Sequence, residues 1–370
     1  MGENIVYWVW LNELRGLSNK AKRKLLTTFE TPEAVFQASL ESIQHVLSKK
    51  SPYPSHADSA VAETPKEMAF ASLWAKRNLN EAETILNNNE HKGIQVLRAS
   101  DEHYRAIFTT DLQTPLVLYY RGTIAPPSVP IVGVIGSRSC TPYGQLVTKA
   151  AVATLVEKGN IIASGLSFGI DALAHETTLD CNGRTYAFLP SGLHKAQPAS
   201  HAQLMERIVS TGLVITPYAY GKDALPFRFI GRNSLLASWC TSLLVVEARL
   251  ESGSMNTAKS ALAKGKQVFA VPNSLLEPQS SGTNHLLSIG AHVYLNDHLL
   301  ADENPEMEPS DLQEEHCVIK ALHNKGLTTA ALRIAVGFTF LSLLETLNEL
   351  ELTGKIKFRS DGKWHTATGA

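Results

Sequence analysis

Apolar residues in the first 48 positions recur at helical spacing: Leu11, Leu14 and Leu17 precede a basic stretch from Lys20 to Lys24, and Leu25, Leu26 and Phe29 follow it. Residues three and four apart share one face of a helix, so this segment predicts short amphipathic helices. Thr31-Pro32-Glu33 opens another, with Thr31 as N-cap and Pro32 in the first position, where a missing N–H is harmless. Residues 39–46 predict a further one. Between 51 and 65 three prolines stand among Ser, His and Asp with no apolar period, which predicts a linker or surface insertion. A single helix is expected over 66–87, carrying Met68, Leu73, Leu79 and Leu86.

From Gly93 the pattern changes to short apolar runs alternating with helical stretches. Strands are expected at 94–97, 116–120, 131–135, 161–163, 185–189, 212–216, 242–247 and 267–271. Helices are expected at 143–158, 169–179, 199–210, 232–238 and 256–264. Repeated β-α units of this length imply a parallel sheet covered on both faces, with ligands at the strand C-termini. Near the C-terminus, helical period returns in 317–322, 328–336 and 340–350, and two strand-like runs flank Asp361-Gly362, a hairpin signal. The expected class is therefore α/β. An extended Rossmann-like parallel sheet with helices on both faces (89–300) follows a helix-hairpin-helix or SAM-like helical module (1–88). A linker (301–315) and a winged-helix domain (316–370) complete the chain.

Composition narrows the function classes. The chain is 44% hydrophobic and 19% charged, too apolar for disorder, yet no run reaches the ~18 apolar residues of a membrane helix. The N-terminus does not read as a secretion signal, because Trp8 and Trp10 are followed at once by Asn12, Glu13 and Arg15. A cytoplasmic protein without a membrane partner is expected. Its four cysteines lie far apart, which argues against a zinc site and a disulfide framework, and no cofactor is expected. The net charge of −1 conceals an uneven distribution. Residues 121–290 hold 14 Lys+Arg against 9 Asp+Glu, and residues 291–370 hold 7 against 12. Seven of those acids fall in 301–315, the expected linker. An anionic ligand is thus drawn to the middle of the chain.

The strand at 131–135 ends in Gly136-Ser137-Arg138-Ser139, and a helix begins near Pro142. Gly136 allows a tight turn, the next amides and the Ser137 hydroxyl face an anion near the helix N-terminus, and Arg138 adds a planar fork suited to phosphate. This is neither a dinucleotide fingerprint nor a P-loop, since the glycines are Gly133 and Gly136 only and no Gly-Lys-Ser/Thr follows. A second cradle is Ser164-Gly165-Leu166-Ser167-Phe168-Gly169-Ile170-Asp171. Asp171 suits a helix N-terminus, and His175, four residues on, is placed to pair with it in an orienting role or, alternatively, in acid–base work. Phe168 either stacks a base or packs in the core. Later segments are Ser191-Gly192-Leu193-His194-Lys195, Gly231-Arg232-Asn233-Ser234, Glu247 through Ser252-Gly253-Ser254 to Ala258, and Gln279 to Asn284. They offer hydroxyls, amides and the cations Arg138, Lys195 and Arg232. They hold no paired carboxylates, no His-x-x-His and no Gly-x-Ser-x-Gly, so the site reads as built to hold phosphate and sugar rather than to cut.

In their order these motifs resemble the DprA/Smf family over about residues 100–295: Gly-Ser-Arg, Ser-Gly-x-x-x-Gly-Ile-Asp-x-x-x-His, Ser-Gly-Leu, Phe-x-x-Arg-Asn, Val-Val-Glu-Ala, Ser-Gly-Ser-x-x-Thr-Ala, Val-Phe-Ala-Val-Pro and Gln-Ser-x-Gly-x-Asn. The resemblance implies a non-enzymatic protein that binds single-stranded DNA, protects it, and hands it to a RecA-type recombinase in natural transformation as a head-to-head homodimer. The DNA-binding residues on this reading are Gly136, Ser137, Arg138, Ser164, Gly165, Phe168, Gly169, Lys195, Arg232, Asn233, Ser252, Gly253, Ser254 and Asn284. Asp171 and His175 serve to orient them. The chain departs from the family's usual pattern at Ser234, where a second arginine is usual, and at Gln197, Pro217 and Asn273. A nucleotide sensor or a phosphoribohydrolase-like enzyme on the same fold is the alternative, although Glu247 to Ala258 lacks the glycine cluster and trailing glutamate of such hydrolases. In the expected winged-helix domain, residues 339–351 carry three glutamates and no Lys or Arg, which favours protein contact over duplex reading.

Overall fold

Capping side chains set the N-terminal helices. Asn4 accepts from the Val6 amide at the head of α1 (Ile5–Glu13), and Ser18 from Ala21 at the head of α2 (Asn19–Phe29). Thr31 accepts from Ala34 with Pro32 first in α3 (Pro32–Gln37), as its sequence requires, and α4 (Leu40–Ser48) follows. This computed structural model describes residues 4–48, 67–108, 113–295, 318–322, 326–336, 340–359 and 361–367. The expected linker at 51–65 and the acidic one at 301–315 lie outside the described residues. The helix expected over 66–87 is two, α5 (Glu67–Ala75) and α6 (Asn80–His91). Arg77 lies at the break: its Nε donates to the Phe36 carbonyl at 2.7 Å, and its guanidinium lies 4.8 Å from the Trp74 ring centre. Asn78 then accepts from the Asn80 amide and starts the next helix.

The sheet region runs β1 (Gln95–Arg98), α7 (Glu102–Ile107), β2 (Val117–Gly122), β3 (Ile131–Ile135), α8 (Pro142–Glu157), β4 (Ile161–Ser164), α9 (Ile170–Asp180), β5 (Thr185–Phe188), α10 (Ala202–Thr211) and β6 (Leu213–Thr216). It continues through α11 (Pro226–Trp239), β7 (Ser242–Val245), α12 (Gly253–Ala263), β8 (Gln267–Ala270), α13 (Ser281–Ser288) and β9 (His292–Val293). The nine strands lie in the order β1-β2-β6-β5-β4-β3-β7-β8-β9. From β6 to β9 every pair is parallel, but β2 is antiparallel to both β1 and β6, so the sheet is mixed at one edge rather than parallel throughout. Residues 232–238 are helical as expected, yet α11 begins at Pro226, a full turn and more earlier.

Strand order reverses at β3, whose neighbours β4 and β7 lead in opposite directions. That switch point leaves a crevice beyond the strand C-termini, where open α/β sheets bind ligands. Buried side chains alternate between the faces. Ile135, Leu243 and Val245 meet Leu235, Leu236 and Met255 on one side, and Val132, Val134 and Leu244 meet Ala151, Val152 and Leu155 on the other. Trp8, Leu11 and Leu25 share a continuous apolar cluster with Leu116, Val117 and Tyr119, so the N-terminal helices and the antiparallel edge of the sheet bury one surface.

The chain divides into two compact units, Met1–Ala301 and Asp302–Ala370. In the second, residues 318–322 are helical (α14) and precede α15 (Thr329–Val336), α16 (Phe340–Leu352) and the antiparallel hairpin β10 (Ile356–Phe358) and β11 (Trp364–Thr366). Val318, Leu322, Leu332, Leu343, Leu347, Leu350 and Ile356 form its separate core. Among the described residues, no helix is long and apolar enough to cross a membrane.

Candidate functional site

Loops from three strands meet at the switch point. After β3 come Gly136, Ser137, Arg138 and Ser139, after β4 Gly165 and Ser167, and after β7 Arg249, Ser252, Gly253 and Ser254. Asp171, Phe229, Arg232, Asn233, Thr257 and Gln279 complete a cleft of about 480 Å³. Side chains bind these loops together. The Ser254 hydroxyl donates to the Gly136 carbonyl at 2.8 Å, that of Ser137 to Gln279 Oε1 at 2.9 Å, and Asn233 Nδ2 to the Gly253 carbonyl at 3.3 Å. Gly169 heads α9 at φ 74°, and a Cβ there would run into the backbone of Ser137 and Arg138. Glycine thus lets the β3 and β4 loops touch.

Arg232 is 3% exposed and lies under the cleft floor rather than at its mouth. Its Nη1 donates to the Gly165 and Phe188 carbonyls, tying α11 to the ends of β4 and β5. The guanidinium stands beside the buried Asp171 carboxylate. Burial raises the carboxyl of Asp171 above its ordinary range, and Arg232 pulls it back down. The Phe229 ring centre lies 5.9 Å from the Arg138 guanidinium and 5.8 Å from that of Arg232, within cation–π range of both. Arg138 and Arg249 are exposed, and neither makes an ion pair among the described residues. Three arginines against one carboxylate give the cleft a positive field.

The N-termini of α8 and α12, at the ends of β3 and β7, differ in what fills them. At α8, Glu247 has already taken the place of an anion. Its buried carboxylate accepts from the Thr141 amide at 2.9 Å and the Thr141 hydroxyl at 2.5 Å, and Thr141 caps the helix. The sequence expectation that an outside anion sits at this helix end is therefore corrected. At α12, Ser252 makes no cap bond, and its Oγ has no partner. Gly253 and Ser254, which open α12, line the same cleft as the exposed guanidinium groups of Arg138 and Arg249, donors of the kind that suit an anion.

Of the expected residues, Gly136, Ser137, Arg138, Gly165, Asp171, Arg232, Asn233, Ser252, Gly253 and Ser254 line the cleft. Others do not. Ser164 is buried and donates to the Val134 carbonyl, and Asn284 is occupied with the backbone of Asn273. Lys195 lies on a separate depression with Lys92, Arg121 and Tyr220, held by Asp223 at 2.6 Å. Phe168 is half exposed, neither core nor cleft lining, with its ring edge-on to His201 at 4.9 Å. The expected Asp171–His175 pair does not form, because His175 turns inward and its Nδ1 meets Thr185 Oγ1 on β5 at 2.7 Å. Phe229 and Arg249 went unnamed among the site residues, although the Phe-x-x-Arg-Asn spacing already held the first. Arg249 stands two residues past Glu247 with no pattern to mark it. Among the described residues, no group of His, Cys, Asp and Glu is arranged to hold a metal ion.

The sequence model of a family described as DNA recombination-mediator protein A matches residues 95–304. The chain is 30% identical over 304 residues to Protein Smf of Synechocystis sp., covering 80% of this chain and 71% of that protein. Over 271 residues it is 35% identical to the putative DNA processing protein DprA of Mycobacterium tuberculosis, covering 68% of each. The X-ray structure of DprA from Streptococcus pneumoniae superposes with a TM-score of 0.66 at 26% identity, over 81% of this chain and 98% of that one.

Proposed function

This chain belongs to the DNA recombination-mediator protein A (DprA/Smf) family, and from that membership we propose that it acts in DNA processing by binding single-stranded DNA in the switch-point cleft. The observation that carries the reading is the grouping of exposed Arg138 and Arg249, the open N-terminus of α12 and the Phe229 ring. Phosphates go to the two arginines and the α12 amides, and an unpaired base lies against Phe229. A cleft of about 480 Å³ has room for a nucleotide but not for a duplex, whose bases are stacked out of reach. Asp171, the carboxylate lining the cleft, is buried beside Arg232 and accepts from the Ser167 amide, an orienting arrangement that supports holding over hydrolysis. Handing of the strand to a RecA-type recombinase, assembly as a homodimer and a cytoplasmic setting in natural transformation belong to the same proposal. So does a winged-helix role in protein contact for the second unit, whose α16 bears glutamates and neither Lys nor Arg.

Fluorescence anisotropy with labelled oligothymidylate across a salt series tests the reading. Arg138→Ala and Arg249→Ala each remove one phosphate contact, so each is expected to weaken binding and to reduce the log–log salt slope by about 0.7. Unchanged slopes in both variants would remove the strand from this cleft. Stabilisation by nucleoside monophosphates without oligonucleotide binding would instead make it a nucleotide site.

A further inference from the structure

Helix α11 divides two clefts. Phe229, Arg232, Asn233 and Leu236 face the switch-point cleft, whereas Gly231, Ser234, Leu235 and Ser238 line a second one of about 420 Å³ with Tyr218. At about 100° per residue, Phe227 projects from the helix nearly opposite Phe229. The turn between the clefts carries three exposed apolar side chains in six residues: Leu225 at 40%, Phe227 at 64% and Ile230 at 61%. A single exposed apolar residue is ordinary, but a contiguous group marks a contact surface.

The group is built around a cation. The Arg228 guanidinium lies 5.0 Å from the Tyr218 ring centre and 5.7 Å from that of Phe227, and its Nη1 donates to the Asp223 carbonyl. No carboxylate pairs with it among the described residues. The Tyr218 hydroxyl donates to the Arg228 carbonyl at 3.1 Å, seated where a Cβ on residue 231 would lie 2.8 Å from it. Glycine inside a helix is unfavourable in itself, and at Gly231 its presence makes room for Tyr218. The result is a ladder of ring, guanidinium and ring, with the outer ring in solvent.

Resting on the single-strand reading of the cleft, we propose that the strand leaves the cleft over the N-terminal turn of α11, where its next bases stack on Phe227 and Arg228 takes the intervening phosphate. Two features choose a nucleic acid over a protein partner. The positive charge of Arg228 has no acid to balance it, and the ladder adjoins the cleft across a single helical turn.

The test compares oligothymidylates of about 4 and about 16 nucleotides, the range of single-strand site sizes. Phe227→Ala and Arg228→Ala are expected to leave the short oligomer's affinity within twofold and to weaken the long one by about tenfold. Phe227→Trp restores the long oligomer, and replacing its bases with abasic units removes the difference between Phe227→Ala and wild type. Wild-type affinity for both lengths in Phe227→Ala overturns the proposal, as does equal loss on both. A change in oligomeric state at unchanged DNA affinity also overturns it and makes the turn a protein contact. Arg138→Ala separates the two claims: it weakens both lengths if the cleft holds the strand, and leaves both unchanged if the cleft reading itself is wrong.

Discussion

His175 is wholly buried, and burial holds its imidazole down to about 3, with the positive charge of Arg232 and His201 acting in the same direction. Thr185 donates its hydroxyl proton to the Ile162 carbonyl at 2.8 Å, so Thr185 Oγ1 accepts and His175 Nδ1 carries the hydrogen. Nε2 then stands bare without a partner. The unfolded chain takes up a proton below about 6.5, whereas the folded one resists until about 3. Stability therefore falls as pH drops through that window, by up to about 1.4 kcal/mol per pH unit for one proton. Urea unfolding between pH 7.5 and 4.5 should show this fall, and His175→Gln, which keeps a donor toward Thr185, should flatten it by about one proton's worth. An unchanged slope in the variant would assign the pH dependence to other groups. The four-residue spacing of Asp171 and His175 was legible, but their partners were not. On the helix the two share a face, yet distant partners decide: Thr185 on β5 draws one inward, and Arg232 on α11, 61 positions along, stands beside the other. Gly165 shows the same limit. It reads in sequence as a turn residue, while in the fold a Cβ there would overlap the Arg232 guanidinium. Gly165→Ala is expected to destabilise the protein by about 1–3 kcal/mol through overpacking, measured as a lower urea midpoint.

Between elements, what distinguishes two equivalent-looking strand-to-helix turns is which internal group already fills the helix end. The sequence presents Gly136-Ser137-Arg138 before α8 and Ser252-Gly253-Ser254 before α12 as alternative anion cradles. Glu247 reaches α8 only because β3 and β7 pair in parallel and end side by side, a pairing no local window reveals. Glu247→Gln keeps the volume but offers one acceptor oxygen to the two Thr141 donors and no charge to either. A loss of about 2 kcal/mol in urea unfolding is expected, and wild-type stability would mean the carboxylate is not holding α8. Central strands were legible because both of their faces are buried, making them short apolar runs. The direction of β2 was not, since it depends on how the chain returns through α7 rather than on residue pattern. The start of α11 escaped for a related reason: Pro-Phe-Arg-Phe-Ile-Gly has neither a polar cap nor a one-sided apolar face, and its exposed Phe227 and Ile230 break helical period.

For the whole molecule, the two compact units differ in charge as well as in core. Residues 302–370 contain 7 Lys+Arg and 11 Asp+Glu, so a chain ending at 301 changes from 34 against 35 to 27 against 24, or from −1 to +3. Among the described residues, each unit builds apolar clusters of its own. Truncation after 301 is therefore expected to leave the melting of the first unit unchanged in calorimetry. Deleting residues 1–88 should not be tolerated in the same way, because Trp8, Leu11 and Leu25 cover Leu116, Val117 and Tyr119 at the sheet edge. The truncated chain keeps every cleft residue while losing an acidic partner for its own field. It should bind oligothymidylate somewhat more tightly than the full chain at low ionic strength, and the two should converge as salt shortens the Debye length from about 30 Å at 0.01 M to about 8 Å at 0.15 M. On the proposed strand path, the phosphate contacts that set the log–log slope are those of Arg138 and Arg249 in the cleft and Arg228 on the α11 turn, all of which lie before residue 301. An affinity gap that persists at high salt would mean instead that the second unit touches the strand or the cleft directly, a short-range effect that screening does not erase.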